Sequence, residues 1–132
     1  MSGLLQRWWP QGEPPGRSGE NIACEHLQGR RFVILVRNFR CRSGEVDVIA
    51  RDGEFTVFVE VKERHGRSHG EGHEAVTFGK RRRLIRAARI YAATHSLSER
   101  PLRFDVISVD WPEGAEAPVI RHDLGAFDSD GL

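Results

Sequence analysis

Residues 44–62, GEVDVIARDGEFTVFVEVK, constrain this chain more than any other stretch. Two runs rich in Val, Ile and Phe flank Asp52-Gly53, a dipeptide that signals a two-residue hairpin turn. Side chains alternate faces along a strand. Val46, Val48 and Ala50 therefore share one face of the first run, and Glu45, Asp47 and Ile49 share the other. Val57, Val59 and Val61 share one face of the second run, and Phe58, Glu60 and Lys62 share the other. With the turn at Asp52-Gly53, Arg51 faces Glu54, Asp47 faces Phe58 and Glu45 faces Glu60. Three carboxylates and one ammonium then project from one side of an apolar ribbon, with Asp47 and Glu60 as diagonal neighbours. A solvated outer face would alternate in the same way. Against that reading, Ile49 and Phe58 lie on the supposedly wet side, and like charges directly opposite one another are destabilising. Carboxylate clusters of this kind concentrate where function needs shifted pKa values.

The chain has 132 residues, which suits one domain with a real core. No run approaches the roughly 18 apolar residues of a membrane span. The opening MSGLLQRWWPQGEPPGR is dominated by Pro and Gly and lacks the pattern of a signal peptide. It reads as a flexible arm over residues 1–17, ahead of a domain over 18–128 and a disordered tail over 129–132. Two cysteines, Cys24 and Cys41, make no disulfide framework, so a cytoplasmic protein with reduced thiols is the expectation. The net charge of +1 hides an asymmetry: residues 1–104 carry 19 basic and 12 acidic side chains, and residues 105–132 carry 1 and 7. A polyanion would dock on the first part.

Residues 18–28 read as a helix with Ser18 as N-cap and Gly29 as its stop. Its apolar stripe is Ala23, Cys24 and Leu27. Glu20 shares that face, where it needs a partner or a cation unless the helix dipole keeps it in water. FVILVRN (32–38) is a continuous apolar run suited to a buried strand. RHGRSHGEGH (64–73) is a Gly- and His-rich loop. Its His65, His69 and His73 recur every four residues, but the glycines argue against a helical metal face and no cysteines complete a zinc site. Residues 77–94 form the clearest helix, with Leu84, Ala87, Ala88 and Tyr91 inward. Lys80, Arg81, Arg82, Arg83, Arg86 and Arg89 form a basic run with no acidic residue to lace it by i,i+4 pairs, which favours phosphate binding over a solvated face. RFDVISV (103–109) is a strand, VIRH (119–122) a short edge strand, and Ala126-Phe127 is placed to tuck back onto the body. The order α-β-β-β-α-β-β predicts an α/β fold: a mixed sheet flanked by helices on both faces.

Asp47, Glu60 and Glu20 are hard oxygen donors that suit Mg²⁺ or Mn²⁺ better than zinc. A divalent ion there could activate water and neutralise a scissile phosphate, with Lys62 on the Glu60 face to hold developing negative charge. Spacing alone leaves a buried ion-pair network equally open. Asp47, then about a dozen residues, then Glu60-Val61-Lys62 resembles the motif of the PD-(D/E)xK nuclease superfamily. A longer set of segments resembles the YraN-type family of small bacterial proteins: Gly19-Glu20, RNFR (37–40), GEVDVIA (44–50), VFVEVKER (57–64), EAV (74–76), Lys80, RFDVI (103–107), His122 and Ala126-Phe127. That resemblance covers about residues 18–128. It implies a restriction-endonuclease-like fold with a likeness to archaeal Holliday-junction resolvases. It carries Glu20, Asp47, Glu60 and Lys62 over as the candidate catalytic set, with Asp47, Glu60, Glu20 and the Val61 carbonyl as metal ligands. Glu45 and Lys80 also match family positions.

The expected activity is metal-dependent hydrolysis of nucleic-acid phosphodiester bonds, in DNA and in branched structures such as Holliday junctions. A nucleic-acid-binding module that keeps the fold without cleaving is the alternative. A metal-binding or protein-interaction domain built on the His loop is a third reading, and it would be indifferent to the arginines. A resolvase cutting two strands symmetrically would want a two-fold homodimer.

Overall fold

A computed structural model describes residues 18–66 and 77–128. The proposed arm, the proposed tail, His69, His73 and the EAV segment lie outside the described residues. Two helices, α1 (Gly19–Gly29) and α2 (Phe78–Thr94), accompany five strands: β1 (Val33–Cys41), β2 (Gly44–Asp52), β3 (Phe55–His65), β4 (Leu102–Trp111) and β5 (Val119–Phe127). They form one mixed sheet in the order β1-β2-β3-β4-β5. All neighbours are antiparallel except β3 and β4, which α2 joins as parallel strands. Parallel neighbours need such a crossover, because a tight turn can only reverse the chain.

Each helix buries a stripe on one face of the sheet. Ile22, Ala23, Cys24 and Leu27 of α1 pack with Val48, Ala50, Val57, Val59, Ile107 and Val109. Leu84, Ile85, Ala87, Ala88 and Tyr91 of α2 pack on the opposite face with Ile49, Phe58 and Phe104. Both faces of β2 and β3 are thus covered, so these strands read as near-continuous apolar runs. Both helix starts are capped: the Ser18 hydroxyl, as expected, accepts from the Asn21 N–H, and the Thr77 hydroxyl accepts from the Lys80 N–H. Phe127 tucks inward and stacks on Phe104.

Four details depart from the sequence reading. The β2–β3 turn residues are Gly53 and Glu54, since Asp52 pairs with Phe55. Gly53 alone takes positive φ, 62°, the pattern of a turn that wants glycine at its first central position. This moves the register by two, which preserves every face but puts Ile49 opposite Phe58. β1 is an edge strand, half-buried rather than buried, because its place in the sheet gives it one neighbour. Gly29 ends no helix by itself: the chain closes α1 at Arg30 and leaves through Arg31 at φ 72°. The strand expected at 119–122 runs on to Phe127.

Candidate active site

The site forms where β2 and β3 separate. Their ladder ends at Val48↔Val59. One step further, the Asp47 side chain takes the place of a backbone acceptor, and the Val61 N–H donates to its Oδ2 at 2.8 Å. Past this point β2 is free of β3, and Val46 packs with Ile49 on the α2 face rather than with Val48 as alternation predicts. The corrected register brings Asp47 level with Glu60, where the expected one made them diagonal. Glu60 follows Phe58 on the α2 face, and Lys80 in the first turn of α2 places its Nζ 3.7 Å from Glu60 Oε2. The close fit of α2 over β2 depends on Gly44: a Cβ there would collide with the Arg83 carbonyl oxygen.

Neither carboxyl has an ordinary environment. Burial pushes Asp47 up, and the nearby charges of Glu20 and Glu45 add to the shift against the Val61 hydrogen bond and Lys80. Burial and then the charge of Asp47 push Glu60 up to about 6, against Lys80 and Lys62. A cation bound between them would favour the charged form of both carboxyls. The donors are hard oxygens, and Mg²⁺ commonly uses only one or two carboxylates, completing its shell with water and phosphate. The residues present therefore fit such an ion, with Asp47, Glu60 and the Val61 carbonyl as the group that would hold it. Among the described residues no three of His, Cys, Asp or Glu form a ready ligand cluster.

Glu20 stands apart from the pair. Its Oε1 accepts from Arg37 Nη2 at 2.6 Å and from Asn38 Nδ2 at 3.3 Å. The Arg37 side chain is only 8% exposed. Glu20 thus has the partner that a carboxylate on an inward helix face requires, and it reaches Asp47 through its charge. Sequence reasoning missed Arg37, although the basic run of β1 lay in view; pairing across 17 positions leaves no periodic trace. It also missed Glu63, whose Oε1 accepts from the Gly19 N–H at 3.1 Å and fastens the start of α1 beside Glu20. Lys62 is half-buried on β3 and acts on Glu60 electrostatically.

Asp47 and Glu60 open onto a cleft of about 380 Å³ also lined by Arg40, Arg42, Glu45, Lys80 and Arg83. Four cations from β1, its following turn and α2, set around the carboxylates, suit a phosphodiester better than a neutral ligand. Arg40 comes from the end of β1 and Arg42 from the β1–β2 connection, and the sequence reading gave neither a role in the site. The basic run of α2 divides by geometry. Lys80 and Arg83 line the cleft, Arg82 and Arg86 stand exposed, and Arg89 lines a separate pocket with Leu102 and Phe127. Arg81 instead lies half-buried with its guanidinium 5.6 Å from the Phe127 ring. His65 stacks on Trp111 near the cleft end of β3.

Comparison with known proteins adds a family. Residues 19–109 match the model of a family described as "Uncharacterised protein family UPF0102". A UPF0102 protein of Geotalea uraniireducens is 44% identical over 113 residues, which is 86% of this chain and 88% of the relative. One from Anaeromyxobacter dehalogenans is 45% identical over 116 residues, 88% of this chain and 85% of the relative. One from Syntrophotalea carbinolica is 47% identical over 116 residues, 88% and 93% respectively.

Proposed function

Because this chain belongs to the UPF0102 family, whose description assigns no reaction, we propose its function from the site itself: a divalent-metal-dependent endonuclease of the PD-(D/E)xK type. Its substrate in this reading is DNA, including branched DNA, and its setting the cytoplasm. The observation that carries the reading is the Asp47–Glu60 pair, two desolvated carboxyls that line one cleft with Arg40, Arg42, Lys80 and Arg83. The strand order, with both carboxylates where two central strands part, accords with a restriction-endonuclease-like fold. No helix among the described residues is long and apolar enough to cross a membrane.

A Mg²⁺ or Mn²⁺ ion bound by Asp47, Glu60 and the Val61 carbonyl would supply Lewis acidity toward a phosphate oxygen. The chain's own groups do the rest. The Val61 N–H fixes one Asp47 oxygen and leaves the other to bind. Lys80 and Lys62 hold the Glu60 charge and stabilise negative charge developing on phosphorus. Arg40, Arg42 and Arg83 grip the flanking backbone, and Glu20, fastened by Arg37, biases Asp47 through its charge.

One arrangement favours a second reading, a nucleic-acid-binding protein without hydrolysis. Arg37 occupies Glu20, so the third carboxylate of the expected ligand set is already engaged. A single experiment separates the two. Holliday junctions, flaps, duplexes and single strands, as DNA and RNA, are incubated with protein in Mg²⁺, Mn²⁺ or EDTA beside Asp47→Ala and Lys62→Ala controls. Cleavage that needs metal and disappears in both variants is expected. Undiminished binding in all three proteins with no cleavage would move the assignment to the binding module.

A further inference from the structure

The two edges of the sheet are built differently. β1 is guarded against pairing: a bulge breaks its register between Ile34 and Val36, Asn38 takes φ 56°, and Arg40 is exposed. β5 has its own irregularity only past Asp123, where its register with β4 shifts and Gly125 takes φ 61°; from Val119 to Asp123 it is regular along its β4 side, and no strand covers its other side among the described residues. Val119, Ile120 and Leu124 are 58%, 37% and 51% exposed. An open edge that is regular over five residues and carries exposed apolar side chains is a template for another strand.

The stretch is also its own antiparallel complement. About a two-fold axis at His122, Ile120 meets Leu124 of a second copy, and Arg121 meets Asp123 of the second copy. Each contact occurs twice. The Arg121 and Asp123 side chains are 62% and 40% exposed, and their ion pair within one strand is of the solvated kind that contributes little. Cross-strand partners share a face, so the register with β4 sets the orientation. Ile120 lies opposite Val109 on the α1 face, and Asp123 lies opposite Val106 on the α2 face. Apolar pairs would cross the axis on one face and opposite charges on the other.

The geometry points to a homodimer formed by antiparallel pairing of β5 with β5 of a second copy, centred on His122. The axis of such a pair stands perpendicular to the sheet, which becomes ten strands wide with both α2 helices on the same side. Glu60 is level with Val106, and Val106 with Asp123. The two carboxylate clefts would then lie five strand spacings apart, about 24 Å across the sheet. The pairing does not depend on the proposed chemistry. Where that chemistry holds, two cleavage sites would face one two-fold substrate surface.

Sedimentation velocity on the full chain over a concentration series tests the interface. The expected species has twice the 15.0 kDa mass of one chain and dissociates on dilution. Arg121→Asp places two like-charged pairs across the axis, as does Asp123→Arg. Each should weaken the dimer about tenfold. The double exchange Arg121→Asp/Asp123→Arg restores both pairs and should restore the dimer, which separates the interface from any loss of folding. Wild type sedimenting as one chain throughout, single exchanges as dimeric as wild type, or a double exchange as weak as the singles would overturn the assignment.

Discussion

Glu60 is ionised at a cost to the fold. Its carboxyl titrates near 6 rather than at the ordinary 4.5. A carboxyl raised on folding binds its proton more tightly in the folded chain, so its favourable contribution is complete below pH 4.5 and is lost as pH rises through 6. The shift corresponds to up to about 2 kcal/mol, at a side chain only 17% exposed. Glu60→Gln removes the titration. Urea unfolding should show the variant gaining on wild type by up to about 2 kcal/mol between acid and neutral pH, with most of the change near the raised pKa. A difference that stays flat with pH would mean that Glu60 is solvated. The same variant should bind Mn²⁺ at least tenfold more weakly by calorimetry, since it removes one of two carboxylates. Residues such as Asp47 and Glu60 were legible because strand alternation projects them from an otherwise apolar run. Arg37 was not, because nothing local to Glu20 announces a partner on another strand.

At the scale of elements, both helices, all five strands and their order follow from apolar periodicity and caps. Positions in the sheet do not. FVILVRN looks buried because a run of Val, Ile and Leu suits a two-sided strand equally well at an edge. The β2–β3 register turned on which glycine-containing pair formed the turn, a choice decided by the positive φ of Gly53 at the first central position. Helix α2 illustrates what structure adds to composition. Its six basic residues look equivalent in sequence, yet Arg81 packs on Phe127 while Arg82 and Arg86 stand exposed. If α2 tracks a phosphate backbone, these residues should separate in a salt series of fluorescence anisotropy on a labelled DNA duplex. Arg82→Ala and Arg86→Ala should each reduce the slope of log affinity against log salt by about 1. Arg81→Ala should leave the slope unchanged and lower stability by about 1 kcal/mol through lost packing. Equal slopes in all three variants would remove α2 from the interface.

The whole molecule is tied together by a network away from the cleft, and here the acidic C-terminal part of the sequence takes on a second role. Asp105 is fully buried on β4. It accepts from Arg103 Nε at 2.9 Å, from Arg103 Nη2 at 3.0 Å and from the Gly125 N–H at 3.0 Å. His122 Nε2 lies 2.8 Å away, and His122 Nδ1 meets His26 Nε2 of α1 at 3.1 Å. Arg103 also reaches Asp52 at the β2–β3 turn. Three strands and a helix thus converge through one carboxylate. Counting charges by segment places Asp105 in the acidic 105–132 end, and composition cannot distinguish a charge in water from one in a network. Burial alone would raise the Asp105 carboxyl; the hydrogen bonds from His122, Arg103 and Gly125 outweigh it and hold the carboxyl below its usual range. A carboxylate depressed on folding stabilises above its ordinary pKa, and the contribution fades as pH falls through the lowered folded value. Asp105→Asn leaves Arg103, 16% exposed, short of its main counter-charge. Breaking a buried pair in this way costs roughly 3–5 kcal/mol. Urea denaturation at neutral pH should show a loss of that order, and the loss should shrink in strong acid, where wild type gives up the same charge. A loss below about 1 kcal/mol, or one that does not shrink in acid, would mean that the carboxylate is not the tie that holds β5 and α1 to the centre of the sheet.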